Sequence, residues 1–210
     1  LYDVKVLLAF NVLIFERELE HVLGLCEQVL PLHPDGFIVQ DIGLARMLRA
    51  LAPEVPLHAS TQMTVTSAEG VLALRGLGLK RFVLGREVSL EELALIRPRV
   101  SEELEVFVHG ALCVSYSGQC LTSEQMGGRS ANRGQCAQSC RLPYSLVVDG
   151  ETRTLDGKRF LVSPQDLCGI EAVPQLVSVG VNSLKIEGRL KSPAYVASTT
   201  CTYRQLVDGV

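Results

Sequence analysis

Along the first 110 residues, short apolar or β-branched runs ending in polar residues alternate with longer stretches whose apolar positions recur every three or four residues. The runs at Val4–Asn11, Gly36–Asp41, Pro56–Thr61, Arg81–Gly85 and Leu104–Gly110 predict strands. Between them, Leu19, Val22, Leu23, Leu25 and Val29 form a helical face, and Ser89 followed by Glu91 and Glu92 reads as a helix N-terminus. Residues 111–160 break this rhythm: they are rich in Gly, Ser, Cys, Gln and Arg, with turns marked by Gly127-Gly128 and Gly150. The alternation resumes with a strand at Phe160–Ser163, a helix over Pro164–Val179, a strand at Asn182–Glu187 and a helix over Pro193–Val207. The chain thus divides into first βα units (1–110), a Cys-rich insertion (111–160) and last βα units (161–210).

Alternating units of this kind predict an α/β fold with a parallel sheet. Polar residues collect where the strands end: Gln40, Asp41, His58, Gln62, Arg86, His109, Asp166, Glu187 and Arg189. That placement suits a TIM-like (β/α)8 barrel, whose site gathers at the C-terminal ends of its strands. Neither a Gly-x-Gly-x-x-Gly turn nor a Walker loop supports a nucleotide fold. Seven strands fall short of the barrel's eight, so the expectation is an incomplete barrel lacking its N-terminal unit or units.

With 47% hydrophobic and 20% charged residues the chain can bury a sizeable core. No apolar run approaches the roughly 20 residues of a membrane helix, and no export signal is visible, which makes cytoplasm the expected compartment. Residues 1–110 hold 10 Lys/Arg against 15 Asp/Glu, whereas 111–210 hold 10 against 8. The cysteine-bearing half is the more basic, but too weakly so to establish nucleic-acid binding by itself.

Five of the seven cysteines crowd into residues 113–168, spaced Cys113-x6-Cys120-x15-Cys136-x3-Cys140-x27-Cys168. An odd count and this crowding favour metal or redox chemistry over structural disulfides. Gly- and Ser-rich backbone lets thiolates converge on a centre, and spacing alone leaves iron-sulfur and zinc both open. Cys26 and Cys201 lie in helical stretches and are expected to pack as small hydrophobes. A Cys/His nucleophile is a further option, since His109 stands close to Cys113 in sequence.

The segments Glu105-Val-Phe-Val-His-Gly-Ala-Leu-Cys113, Ser117-Gly-Gln-Cys120 and Gly128-Arg-Ser-Ala-Asn-Arg-Gly-Gln-Cys136 closely resemble the signature of the collagenase-like peptidase family, peptidase family U32. Val39-Gln-Asp41, His58-Ala-Ser-Thr-Gln62, Ser163-Pro-Gln-Asp-Leu-Cys168 and Lys185-Ile-Glu-Gly-Arg189 resemble its other characteristic stretches. The resemblance implies either a peptidase of unknown catalytic type or an oxygen-independent hydroxylase of a tRNA uridine, a 23S rRNA cytidine or a small aromatic ring. For the hydroxylase it implies a 4Fe-4S cluster, with zinc the alternative metal, on Cys113, Cys120, Cys136 and Cys168, with Cys140 the rival for one place. It also implies RNA as partner and prephenate as a small co-substrate. His109, Asp41 and Glu187 are then the candidate catalytic groups, His58 and Gln62 candidate substrate contacts, and Arg129, Arg133 and Arg189 candidate anion or phosphate contacts. A Ser/His/Asp arrangement, a Gly-x-Ser-x-Gly elbow and a His-Glu-x-x-His helix are not evident in the sequence.

Overall fold

A computed structural model describes residues 3–210. Its first half alternates β1 (Leu7–Phe10), α1 (Leu19–Val29), β2 (Gly36–Val39), α2 (Ile42–Leu51), β3 (Leu57–Ala59), α3 (Ala68–Ala73), β4 (Arg81–Val83), α4 (Leu90–Ile96) and β5 (Glu103–Gly110). Then follow α5 (Thr122–Gly127), β6 (Leu146–Val148), β7 (Glu151–Arg153), β8 (Leu167–Cys168), α6 (Val173–Val179), β9 (Ser183–Ile186) and α7 (Pro193–Asp208). Side-chain oxygens of Asp41, Ser67, Ser89 and Ser192 accept from backbone N–H groups in the first turns of α2, α3, α4 and α7 and so fix where those helices start.

Six strands run parallel in the order β1-β2-β3-β4-β5-β9, and β8 adds an antiparallel bridge at the end of β5, opposite His109 and Gly110. The parallel sheet follows from the alternation of strands and helices, and the two faces of its strands differ sharply. Phe37, Val39, Leu57, Ala59, Phe82 and Leu104 point to one side and form the core with Leu44, Leu48, Val71, Leu93, Ile96 and Val173 of the helices. On the other side, register places Ile38, His58, Arg81 and Glu103 in one row, Val83, Glu105 and Ser183 in the next, and Phe107 with Lys185 beyond them.

This second face is held by charge. Glu105 is only 7% exposed. It accepts from Arg81 Nη1 at 3.0 Å and lies 3.2 Å from Lys185 Nζ, while Arg81 also reaches Glu103 at 2.7 Å. Burial pushes the Glu105 carboxyl upward, but Lys185, Ser183 and Arg81 outweigh it and hold it below the usual carboxylate range.

Two expectations fail between 160 and 172. Phe160–Ser163 is a turn, not a strand: Ser163 N–H donates to Phe160 C=O, and Leu161 and Val162 are exposed with no strand beside them. The helix expected from Pro164 starts only with a 3-10 turn at Ile170–Ala172. Its first residues are extended instead, because Arg141 Nη1 donates to Ser163 Oγ and Pro164 C=O, and Gly169 N–H donates to Val108 C=O at 2.7 Å. Within the insertion, β6 and β7 form a hairpin across Asp149 (φ 53°) and Gly150 (φ 83°), the left-handed pair that an Asp-Gly turn accommodates. Cys26 is fully buried as expected, whereas Cys201 is exposed on α7 rather than packed. Among the described residues no helix is long and apolar enough to cross a membrane.

Replacing Glu105 by Gln leaves Arg81 and Lys185 without their shared buried counter-charge. We expect a loss of about 3 kcal/mol, read as a lower urea midpoint at unchanged slope. An unchanged midpoint would show that the charged face contributes nothing to stability.

Candidate functional site

The loop that follows β5 is bound to the end of β4 by consecutive residues. Arg86 N–H donates to Ser117 Oγ at 3.3 Å, and Ser117 N–H donates to Glu87 Oε1 at 2.7 Å. Thr64 Oγ1 donates to Ser117 C=O at 2.6 Å. Next in the loop, Gly118 has φ +73°, and a Cβ there would stand 2.2 Å from Gln62 C=O, so only glycine permits this approach. The side chain of Arg86 reaches further: Nη1 donates to Cys113 Sγ at 3.2 Å and Nη2 lies 3.3 Å from Glu187 Oε2.

The other cysteines are placed by different clamps. Asn132 accepts from Cys120 N–H and donates to Cys120 C=O, both at 3.0 Å, which pins that residue as a strand neighbour would. Gln40, its amide oriented by its surroundings, donates to Gln62 Oε1 at 2.6 Å, Asn11 C=O at 2.9 Å and Asn132 C=O at 3.2 Å. The ends of β1, β2 and β3 are thereby tied to the loop that holds Cys120. Arg141 Nη2 donates to Leu112 C=O at 2.6 Å, so this one guanidinium joins the Cys113 loop to the segment leading to Cys168. Burial pushes the Cys140 thiol up; Arg141 pulls it down, and Cys136, Cys113 and Cys120 push it up again. These three thiols therefore lie within electrostatic reach of Cys140. Cys168 is the cross-strand partner of His109, and all seven cysteines are free thiols. Among the described residues, no three Cys, His, Asp or Glu side chains are close enough to share a single ion.

The expected catalytic residues separate. A register shift between Phe107 and His109 turns His109 off the charged face, so that it pairs with Ile186 and packs on Tyr195 and Tyr203 of α7. There its Nδ1 is 3.2 Å from Tyr203 Oη, which donates to Val108 C=O and accepts from Gly169 N–H. Both oxygens of Asp41 serve backbone N–H groups, Leu44 at 2.8 Å and Ile14 at 3.2 Å, which makes it a helix cap and a strap on the β1 loop rather than a free base. Glu187 does face the thiol loop, receiving Arg86 on Oε2 and Arg189 N–H on Oε1.

Of the expected substrate contacts, Gln62 sits in the Gln40 network, while His58 lies a row deeper, 5% exposed beside Arg81. Arg133 is committed elsewhere: it grips Glu18 through both Nη atoms at 2.9 and 2.6 Å and stacks 4.3 Å from the Phe15 ring. The Arg133 hydrogen bonds, seconded by the Phe15 N–H, hold the Glu18 carboxyl down at about 2. Arg133 thus anchors the insertion to α1, and only Arg129 and Arg189 keep exposed side chains. Two residues that hold the loop have no role assigned from the sequence: Arg86, which figures there only among the strand-end polar residues, and Asn132. For Arg86 the signal was an Arg-Glu pair directly after a strand, next in space to the loop with the first two cysteines.

Taken together, these features define an α/β domain that gathers thiols on irregular backbone at the C-terminal edge of a parallel sheet with one charged face. The model of Peptidase family U32 matches residues 1–210, and the chain belongs to that family. It is 39% identical to the 23S rRNA 5-hydroxycytidine C2501 synthase of Escherichia coli, over 100% of this chain and 31% of that protein. To the tRNA hydroxylation protein P1 of Bacillus subtilis it is 37% identical, over 99% of this chain and 50% of that one. The collagenase of Porphyromonas gingivalis is 30% identical, over 98% of this chain and 52% of that one. The chain thus spans between about a third and a half of the length of these relatives.

His58 gives this charged face a pH signature. Burial, with Arg81 adding to it, lowers the imidazole to about 4 against the partial opposition of Glu105 and Glu103. Above about pH 6.5 both folded and unfolded chains carry it neutral. As pH falls from there to about 4, the unfolded chain takes up a proton that the folded one refuses, so stability is lost across that window. The loss should total about 3 kcal/mol, and urea titrations of the His58→Gln protein should show this component of the pH dependence missing. An identical pH profile in that variant would refute the assignment.

Proposed function

We propose that this domain is the metal-bearing part of an oxygen-independent hydroxylase that modifies an RNA base, a 23S rRNA cytidine or a tRNA uridine. The observation that carries the reading is a thiol-bearing loop clamped by Arg86, Asn132 and Arg141, beside a charged sheet face. The names of the Escherichia coli and Bacillus subtilis relatives supply the substrate class. In this reading the open sheet of six parallel strands is the larger part of a TIM-like barrel, its charged face the lumen and its thiol loop at the mouth.

We assign a 4Fe-4S cluster to Cys113, Cys120, Cys136 and Cys168. Free thiols on irregular backbone supply the donor type that such a cluster takes, with zinc the alternative metal. Bound there, the cluster would supply one-electron chemistry. The protein's own residues do the rest. Arg86 presents a fixed positive charge to Cys113, Asn132 holds Cys120, and Glu187 offers a carboxylate oxygen beside Arg86 at the rim of the charged face. Arg189 and Lys191, exposed just beyond Glu187, suit an anionic co-substrate such as prephenate. Arg129 remains an exposed cation for an RNA phosphate.

A peptidase is the second reading. It is favoured by the collagenase relative and by the cross-strand pairing of Cys168 with His109, the residue types of a thiol nucleophile and its base. Anaerobic reconstitution of the full-length protein, with iron and sulfide analysis, separates the two. We expect wild type to bind a four-iron cluster and Cys113→Ser, Cys120→Ser, Cys136→Ser and Cys168→Ser to lose most of it. Nucleosides from a deletion strain should lack one hydroxylated base. An iron-free protein that cleaves gelatin, and stops doing so in Cys168→Ser and His109→Ala, would establish the peptidase instead. Full iron in Cys168→Ser together with its loss in Cys140→Ser would transfer the fourth place to Cys140.

A further inference from the structure

We infer that Arg86 is a positioning residue that sets the reduction potential of the thiolate-bound centre, and that Glu187 offsets part of its effect. This inference rests on the cluster reading above and adds a control device that the reading does not require. Cys113 is the one cysteine whose sulfur accepts a hydrogen bond from a charged side chain among the described residues, Arg86 Nη1 at 3.2 Å. The same guanidinium stacks 3.9 Å from the centroid of the Phe107 ring and touches Glu187 at 3.3 Å. Its Nε is buried without a hydrogen-bond partner. A side chain only 15% exposed, fixed at its backbone by Ser117 and at its tip by three groups, has little freedom to swing away.

That arrangement has an electrostatic consequence. A guanidinium keeps its proton at all accessible pH, so Arg86 places a permanent positive charge and an N–H donor on a ligand sulfur. Net charge and hydrogen bonds to the sulfurs are among the quantities that fix an iron-sulfur potential. Both favour the reduced centre, which carries one more negative charge than the oxidised one. Glu187 contacts the other terminal nitrogen of the same guanidinium and cancels part of its field. The two side chains should therefore shift the potential in opposite directions. In the step concerned, the oxidised centre takes up one electron from an added reductant; no bond forms or breaks and no proton moves.

The test is a spectroelectrochemical titration of the reconstituted full-length protein with dithionite as reductant. For Arg86→Gln we expect the ratio of reduced to oxidised centre at a fixed potential to fall at least tenfold, about 59 mV for one electron. Arg86→Lys, which keeps the charge but not the fork, should shift less, and Glu187→Gln should shift the other way. A merely structural role would lower iron content while leaving the potential of the remaining clusters unchanged, and that result would overturn the inference. So would shifts of the same sign in Arg86→Gln and Glu187→Gln. If Arg86→Gln fails to hold iron, Arg86→Lys and Glu187→Gln decide by the same criterion. A wild-type protein that binds no iron removes the cluster reading itself, and this inference with it.

Discussion

Glu105 is a carboxylate in the middle of a parallel sheet, and such a group is tolerated only where its counter-charges are built in. Arg81 from β4, in the row of Glu103, and Lys185 from β9, in the row of Phe107, supply them diagonally from either side of the Glu105 row. The pairing does more than offset a desolvation cost of several kcal/mol per ion. It requires β4, β5 and β9 to sit side by side at one register, since a slip of one residue would send Glu105 into the apolar core and Leu104 onto the charged face. Everything placed at the ends of these strands inherits that register. Arg86 follows from β4, Gly110 and the thiol loop from β5, and Glu187 from β9.

The thiol loop has little apolar surface with which to fold by itself, and its conformation comes from the strand ends. Arg86 and Glu87 hold Ser117; Gln62 approaches Gly118 too closely for any side chain; Gln40 reaches Asn132, which in turn grips Cys120. These bonds use backbone groups that secondary structure would otherwise satisfy, and so specify one loop shape without a strand or long helix. The same economy explains why Arg133, which looks like a phosphate contact in the sequence, points inward, as Arg141 does. One binds Glu18 and the other three oxygens of the protein, and both serve to seat the insertion.

The first five strands, their helices and the helix start at Ser89 were legible because period-2 and period-3.6 patterns follow directly from what each element buries. The segment from Phe160 to Ala172 was not. Leu161 and Val162 look like strand residues, but no neighbour offers them a ladder, and the pairing that does form, of Leu167 and Cys168 with β5, is set by a long-range bond from Gly169 to Val108. The Asp149-Gly150 turn was readable, yet only the turn and not its flanking strands entered the expected pattern. The surroundings of His109 were hidden for a subtler reason. Strict alternation puts it on the face of Glu105 and Phe107, and a single bulge, invisible to periodicity, delivers it to Tyr203.

That bulge bears on how one family can carry both hydroxylase and peptidase names. By removing His109 from the charged face, it leaves Glu187 and Arg86 as the groups that link that face to the thiols, a pairing suited to holding charge steady near a centre that gains and loses electrons. On the opposite side of β5 it sets an imidazole beside Cys168, anchored through Nδ1 to a tyrosine that is itself bonded to backbone. The two arrangements share a strand but not a face. A centre at the strand ends that recruited Cys168 would draw that thiol away from the imidazole and toward Cys113, so metal binding and thiol–imidazole chemistry compete for one sulfur. If the proposed cluster forms, the metal state of Cys168, more than any difference in fold, would then decide which of the two proposed chemistries this scaffold can support.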